Sequence, residues 1–151
     1  MKKLSRLLTV LMLMLTMTVT LAPATASAAS KTYKGTRSYT YTIVTKKKDA
    51  TLKINPAKGK ATVTVVKNPL KGTTKDTTKS IYGDFTVTIT GGGTTQTIHV
   101  GSFTKKVTLK KNTTYTVTVT CTGAPIGTYW NVRWTKDPSV KLTVNNSATI
   151  N

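Results

Sequence analysis

Apolar and polar side chains alternate along most of this chain, with the period of two that a strand buried on one face requires. Tyr39, Tyr41 and Ile43 share one side of a segment running from Arg37 to Thr45. Phe85, Val87 and Ile89 alternate with Thr86, Thr88 and Thr90, and Tyr115, Val117, Val119 and Cys121 share one side of a later segment. Strands are predicted on this basis at 37–45, 50–54, 61–67, 85–90, 94–100, 103–109, 115–122, 129–135 and 140–144, and no segment carries a helical period. Turn formers separate them. Asn55-Pro56-Ala57-Lys58-Gly59 ends one strand, and Asn68-Pro69-Leu70-Lys71-Gly72 opens what reads as a long polar loop through Lys79. Gly91-Gly92-Gly93 makes a hairpin of the flanking segments.

The N-terminus follows a different rule. Lys2, Lys3 and Arg6 precede an apolar run from Leu7 to Leu21, which is shorter than the ~20 residues a spanning helix needs. Ala22-Pro23-Ala24-Thr25-Ala26-Ser27-Ala28 then supplies a helix break and small residues. The pattern is that of an export signal, so 1–28 is expected to be a cleaved signal helix and 29–151 a single mature domain with no membrane span. The expected location is extracellular or cell-wall associated, or periplasmic in a two-membrane bacterium. The single cysteine, Cys121, allows no intramolecular disulfide and reads as a buried, inert thiol.

About nine short strands without a helix predict an all-β, antiparallel β-sandwich, immunoglobulin-like or jelly-roll-like. Threonine, roughly a quarter of the mature residues, keeps strand propensity on a face that stays wet. The stretch Val107-Thr108-Leu109-Lys110-Lys111-Asn112-Thr113-Thr114-Tyr115-Thr116-Val117-Thr118-Val119 resembles the tyrosine corner of immunoglobulin-like and fibronectin type III-like sandwiches. The resemblance implies that the Tyr115 hydroxyl ties its strand to the preceding connection. Trp130 and Trp134 follow this corner instead of preceding it, which departs from the family order. The resemblance carries a fold class and no function.

Charge changes the picture. Lys+Arg number 23 against four acids, Asp49, Asp76, Asp84 and Asp137, with no glutamate, giving a formal net charge of +19. Loss of Lys2, Lys3 and Arg6 with the leader leaves about +16, beyond the magnitude of about 2–8 that solubility asks of a small domain. Nearly all of it is lysine, a hydrated point charge suited to diffuse attraction, whereas base-edge readout leans on arginine. A polyanion is therefore the expected partner: teichoic acid, acidic polysaccharide or another anionic surface, with no sequence-specific nucleic acid. Lys46, Lys47, Lys48, Lys105, Lys106, Lys110 and Lys111 are the candidate contacts. Lysines at strand edges also deter edge-to-edge pairing, so part of the excess has a structural reading.

Catalytic chemistry is poorly provisioned. His99 is the sole candidate base, and Ser102 lies three residues on without a Gly-x-Ser-x-Gly elbow. The aspartates are scattered in lysine-rich turns, so neither a metal site nor a carboxylate pair is expected. No catalytic residue, metal or cofactor is assigned, and the protein is not expected to be an enzyme. An alternative to polyanion binding is a carbohydrate-binding or adhesion module built on Tyr129, Trp130, Asn131, Arg133 and Trp134, with Tyr33, Tyr39, Tyr41 and Tyr82 available to extend an aromatic surface. In that segment Trp130, Val132 and Trp134 share one face, which is either core or a stacking platform. A cationic antimicrobial or toxin-like effector would use the same lysines on membranes.

Overall fold

The inward residues of two antiparallel sheets close on one another, and the alternation read from the sequence becomes a sandwich. The structure, a computed structural model, describes residues 28–34, 37–125 and 131–151. Twelve strands follow in order: β1 (Ser30–Lys34), β2 (Ser38–Thr45), β3 (Ala50–Ala57), β4 (Gly59–Asn68), β5 (Thr73–Ile81), β6 (Phe85–Gly91), β7 (Thr94–Val100), β8 (Lys105–Leu109), β9 (Thr114–Cys121), β10 (Val132–Lys136), β11 (Ser139–Val144) and β12 (Ala148–Ile150). One sheet has the order β1-β11-β3-β8 and the facing sheet β12-β2-β9-β6-β7. Residues 1–27 of the predicted leader lie outside the described residues, and among those described no helix is long and apolar enough to cross a membrane.

Parity along each strand decides what is buried. Leu52 and Ile54 of β3, Val140, Leu142 and Val144 of β11, and Leu109 of β8 face Ile43 of β2, Val117 and Val119 of β9, and Phe85 and Val87 of β6. Each such side chain contributes about 1.5–3 kcal/mol when fully buried. Cys121 lies in this core as a free, buried thiol. Tyr33 and Tyr41 are core residues too, their rings stacked with centroids 5.2 Å apart, so they do not extend an exposed aromatic surface. The reason is register, because each falls on the inward parity of its strand.

A third sheet, β10-β4-β5, continues two strands of the first. β3 pairs with β11, and beyond a bend at Lys58 and Asp137-Pro138 their continuations β4 and β10 pair again. Gly59 sits at that bend. A Cβ there would meet the Lys136 carbonyl, stand 2.6 Å from the Pro138 nitrogen and 2.7 Å from the Trp134 ring, so only glycine fits. A small second core of Ala61, Val63 and Ile81 forms there, with Trp134 and Val132 packed against it.

The predicted loop through Lys79 is instead the strand β5, which pairs with β4 from Thr73 to Ile81. Its residues Thr-Thr-Lys-Asp-Thr-Thr-Lys-Ser are almost all exposed, so no apolar alternation announces it. The only helical turn among the described residues, Pro69–Lys71, caps that hairpin, with Asn68 Oδ1 accepting from the Leu70 and Lys71 amides. The glycine hairpin forms as expected between β6 and β7, with φ of 59° at Gly92 and 76° at Gly93, as a primed turn requires.

Candidate functional site

Two connections widely separated in sequence meet at one end of the sandwich. β2 pairs with β9 with Val44 opposite Thr114, and β3 pairs with β8 with Ala50 opposite Leu109. These registers place the β2–β3 connection, Lys46-Lys47-Lys48-Asp49, beside the β8–β9 connection, Lys110-Lys111-Asn112-Thr113. Lys47, Lys48, Asp49, Lys110 and Lys111 line a shallow depression of about 550 Å³. Lys46, with Lys47 and Lys48, lines an adjoining one beside Asn146 and Ser147. Five of the seven lysines expected to contact a polyanion thus lie together.

Backbone bonds fix the arrangement. Thr45, only 4% exposed, is the knot. Its hydroxyl donates toward the Lys110 and Thr113 carbonyls at 2.7 and 3.0 Å and accepts the Thr113 amide at 2.8 Å. The Asn112 amide donates to the Lys46 carbonyl at 2.8 Å, and Asn112 takes the left-handed conformation (φ 51°) that asparagine tolerates in tight turns. The Tyr115 hydroxyl accepts the Lys110 amide at 2.9 Å, which is the tie that the tyrosine corner implies.

Asp49 is the one carboxylate in the cluster. Its Oδ1 accepts the Lys111 amide at 2.9 Å, and its Oδ2 lies 3.4 Å from Lys110 Nζ. The Lys111 amide, and secondarily the charge of Lys110, holds this carboxyl below its usual value. The Lys110 pair is exposed and contributes little by itself. Asp49 acts by orienting the turn and leaves the surrounding field positive.

Lys105 and Lys106 stand apart from this cluster, on β8. Lys106 lies directly opposite Lys53 of β3, and the outward row continues through Thr143. Lys106, Lys53, Lys34 of β1 and Lys141 of β11 make the outer face of the four-stranded sheet a lysine face, whereas Lys105, opposite the buried Ile54, falls on the inward parity of the β8 edge. The opposite side of the molecule contrasts with it. The strands β2, β6, β7, β9 and β12 contain no Lys, Arg, Asp or Glu, and their outer face is a grid of threonines with His99 at one corner. Neighbouring hydroxyls bond across strands, Thr40 to Thr118 at 3.1 Å, Thr90 to Thr95 at 3.1 Å and Ser38 to Thr120 at 3.1 Å. The charge is segregated by sheet.

No known protein family, curated protein or solved structure matches the chain.

The aromatic candidates are divided. Tyr129 and Trp130 lie outside the described residues. Asn131 and Arg133 are exposed, whereas Trp134 is half-buried against Ala61, Val63 and Ile81. Its indole is therefore structural support for the third sheet, with only part of a ring left to water.

His99 and Ser102 line a separate cavity of about 300 Å³ with Lys58, Tyr82 and Asp84. His99 Nε2 lies 3.2 Å from Asp84 Oδ1, and Thr122 Oγ1 donates to Asp84 Oδ2 at 2.9 Å. Among the described residues Ser102 makes no hydrogen bond to His99. Asp84 was legible only as a turn former, because its partner lies fifteen residues away across β6 and β7. Among the described residues no three His, Cys, Asp or Glu side chains come together.

Proposed function

We propose that this is an exported binding protein that attaches electrostatically to an extracellular or cell-wall polyanion. The contact surface is the cluster Lys46, Lys47, Lys48, Lys110 and Lys111 and the adjoining lysine face of β1, β11, β3 and β8. The observation that carries the reading is the segregation of charge, since a surface charged only to keep the protein soluble has no reason to leave a whole five-stranded sheet without a lysine. Convergence of two loops around one orienting carboxylate adds to it. Lysine point charges without bidentate arginine suit a flexible phosphodiester or carboxylate polymer better than one fixed ligand geometry.

The test is retention on purified walls or immobilised polyphosphate as salt is raised. With five lysines engaged on a flexible chain, counterion release at about 0.7 per neutralised phosphate lowers affinity about a hundredfold between about 50 and 200 mM salt. Lys→Gln changes at 47, 48, 110 and 111 should each flatten that slope by about 0.7, while a change at Arg133 leaves it alone. Retention that survives high salt, or is indifferent to the four lysines, overturns the reading; retention on neutral glycans lost with Trp134→Ala points to the carbohydrate alternative.

A further inference from the structure

The edges of the sheets are guarded with one exception. β1 carries Lys31 and Lys34, β8 carries Lys105 and Lys106, β5 carries Lys75 and Lys79, and β10 carries Arg133 and Lys136. β12 is protected by being three residues long. β7, Thr94-Thr95-Gln96-Thr97-Ile98-His99-Val100, has seven residues, no Lys, Arg, Asp, Glu or Pro, and no strand on its open side among the described residues. Its β6 ladder is regular from Val100 to Thr94, without a bulge to twist the edge away. An uncharged, regular, β-prone edge is a template for another strand. In a chain that places lysine or arginine on every other edge of comparable length, its absence here marks a surface left open for pairing.

We propose that β7 pairs antiparallel with β7 of a second copy of this chain, across a two-fold axis through Thr97, joining two five-stranded sheets into one of ten. The occupant follows from charge. Two strongly basic molecules repel wherever lysines meet, and the five-stranded sheet is the one layer whose strands hold none. The register follows from parity. Directly opposite residues in an antiparallel pair point to the same side, so the two threonine faces stay coplanar only if the paired numbers sum to an even value. Centring on Thr97 overlaps all seven residues, setting Thr95 opposite His99 and Gln96 opposite Ile98. Packing agrees with this register. Thr94 and Gln96 line the mouth of a cavity of about 420 Å³ between the β7 and β8 edges, whose other lining residues include Ile89, Leu109, Tyr115 and Lys110. Ile98 of the second copy would stand over Gln96 at that mouth. Such an axis runs perpendicular to the sheet, so both lysine faces turn the same way. The lysines of β8 lie one layer away on the same side of the sandwich, so the pairing should tighten as salt rises, the reverse of polyanion binding.

Sedimentation equilibrium on the mature chain, at low and high salt and over the widest range solubility allows, should show a reversible monomer–dimer equilibrium that shifts toward dimer with salt. Thr97→Lys sets two like charges face to face at the axis and should weaken the dimer about tenfold. Thr116→Lys, on the same face but on the central strand β9, should leave it unchanged and shows that the sheet tolerates a surface lysine. In a Cys121→Ala background, Thr97→Cys should give a disulfide-linked dimer on mild oxidation, because opposed Cα atoms lie about 4.5–5.5 Å apart. Thr95→Cys should not, since in this register the two Cys sites stand about 13 Å apart along the strands. A monomer under all conditions, a dimer indifferent to Thr97→Lys, or equal cross-linking through positions 95 and 97 overturns the proposal.

Discussion

Replacing Thr45 by valine tests the claim that the lysine cluster is held by one buried hydroxyl. The change keeps shape and removes the oxygen. The Thr113 amide loses its acceptor and the Lys110 carbonyl its donor, while the Thr45 amide keeps its 3.0 Å bond to the Thr113 carbonyl. An unsatisfied buried group costs about 1–3 kcal/mol. Thr113 is half-buried, so water recovers part of this, and a total near 2 kcal/mol is expected. For a domain of about 120 residues, an unfolding entropy near 2.1 cal/mol/K per residue makes this a fall in Tm of about 8 °C. Thr45→Ser keeps every bond and removes one methyl, so it should cost about 0.8 kcal/mol, or about 3 °C. Calorimetry and urea titration at neutral pH read both. Because the knot also sets the Lys110–Lys111 turn, Thr45→Val should elute from a polyanion column at lower salt, and Thr45→Ser should not. A Tm for Thr45→Val close to wild type, or equal losses in valine and serine, would refute the argument.

Asp49→Ala should destabilise at neutral pH, and the gap to wild type should close on acidification. A carboxyl whose folded pKa is depressed contributes fully above its unfolded value near 3.8 and loses that contribution as pH falls through the lower folded value, so urea titrations at about pH 7, 4 and 2 should converge only at the last. Cys121, whose thiol burial pushes up, should resist a thiol reagent near pH 8 in the folded protein and react at once in denaturant, which Ellman absorbance follows. Gly59→Ala should cost about 3 kcal/mol by forcing the bend apart at Pro138 and Trp134, visible as a lowered Tm with a shifted tryptophan emission.

What was readable in the chain depended on burial. β6 and β9 were legible because one face of each is core, so Phe85, Val87 and Ile89, or Tyr115 to Cys121, write the period directly. β5 was not, because both its faces meet water and β4 alone gives it a ladder; β1 and β12 are too short or too exposed to show a period. The lysines were legible as runs, but their meeting was not, since Lys46–Lys48 and Lys110–Lys111 are joined only by the registers of two different sheets. One signal was available. Asp49 is a lone acid ending a lysine run, and in the fold it is the acceptor that pulls the second run alongside. The tyrosine corner, by contrast, is local, and Tyr115 to Lys110 could be read from five residues.

A body positive on one side and neutral on the other is an electric dipole as well as a charge. On the attachment proposed above, it would feel a torque near an anionic wall before contact, within a Debye length of about 8–10 Å at physiological salt, and so arrive turned, lysines inward. What would then face the medium is the hydroxyl grid of Thr40, Thr118, Thr88 and Thr97, which offers no charge of either sign to a later arrival. Under the proposed attachment, adsorption would stop at one layer, and the coated wall would present an uncharged, hydrated skin in place of its own anions.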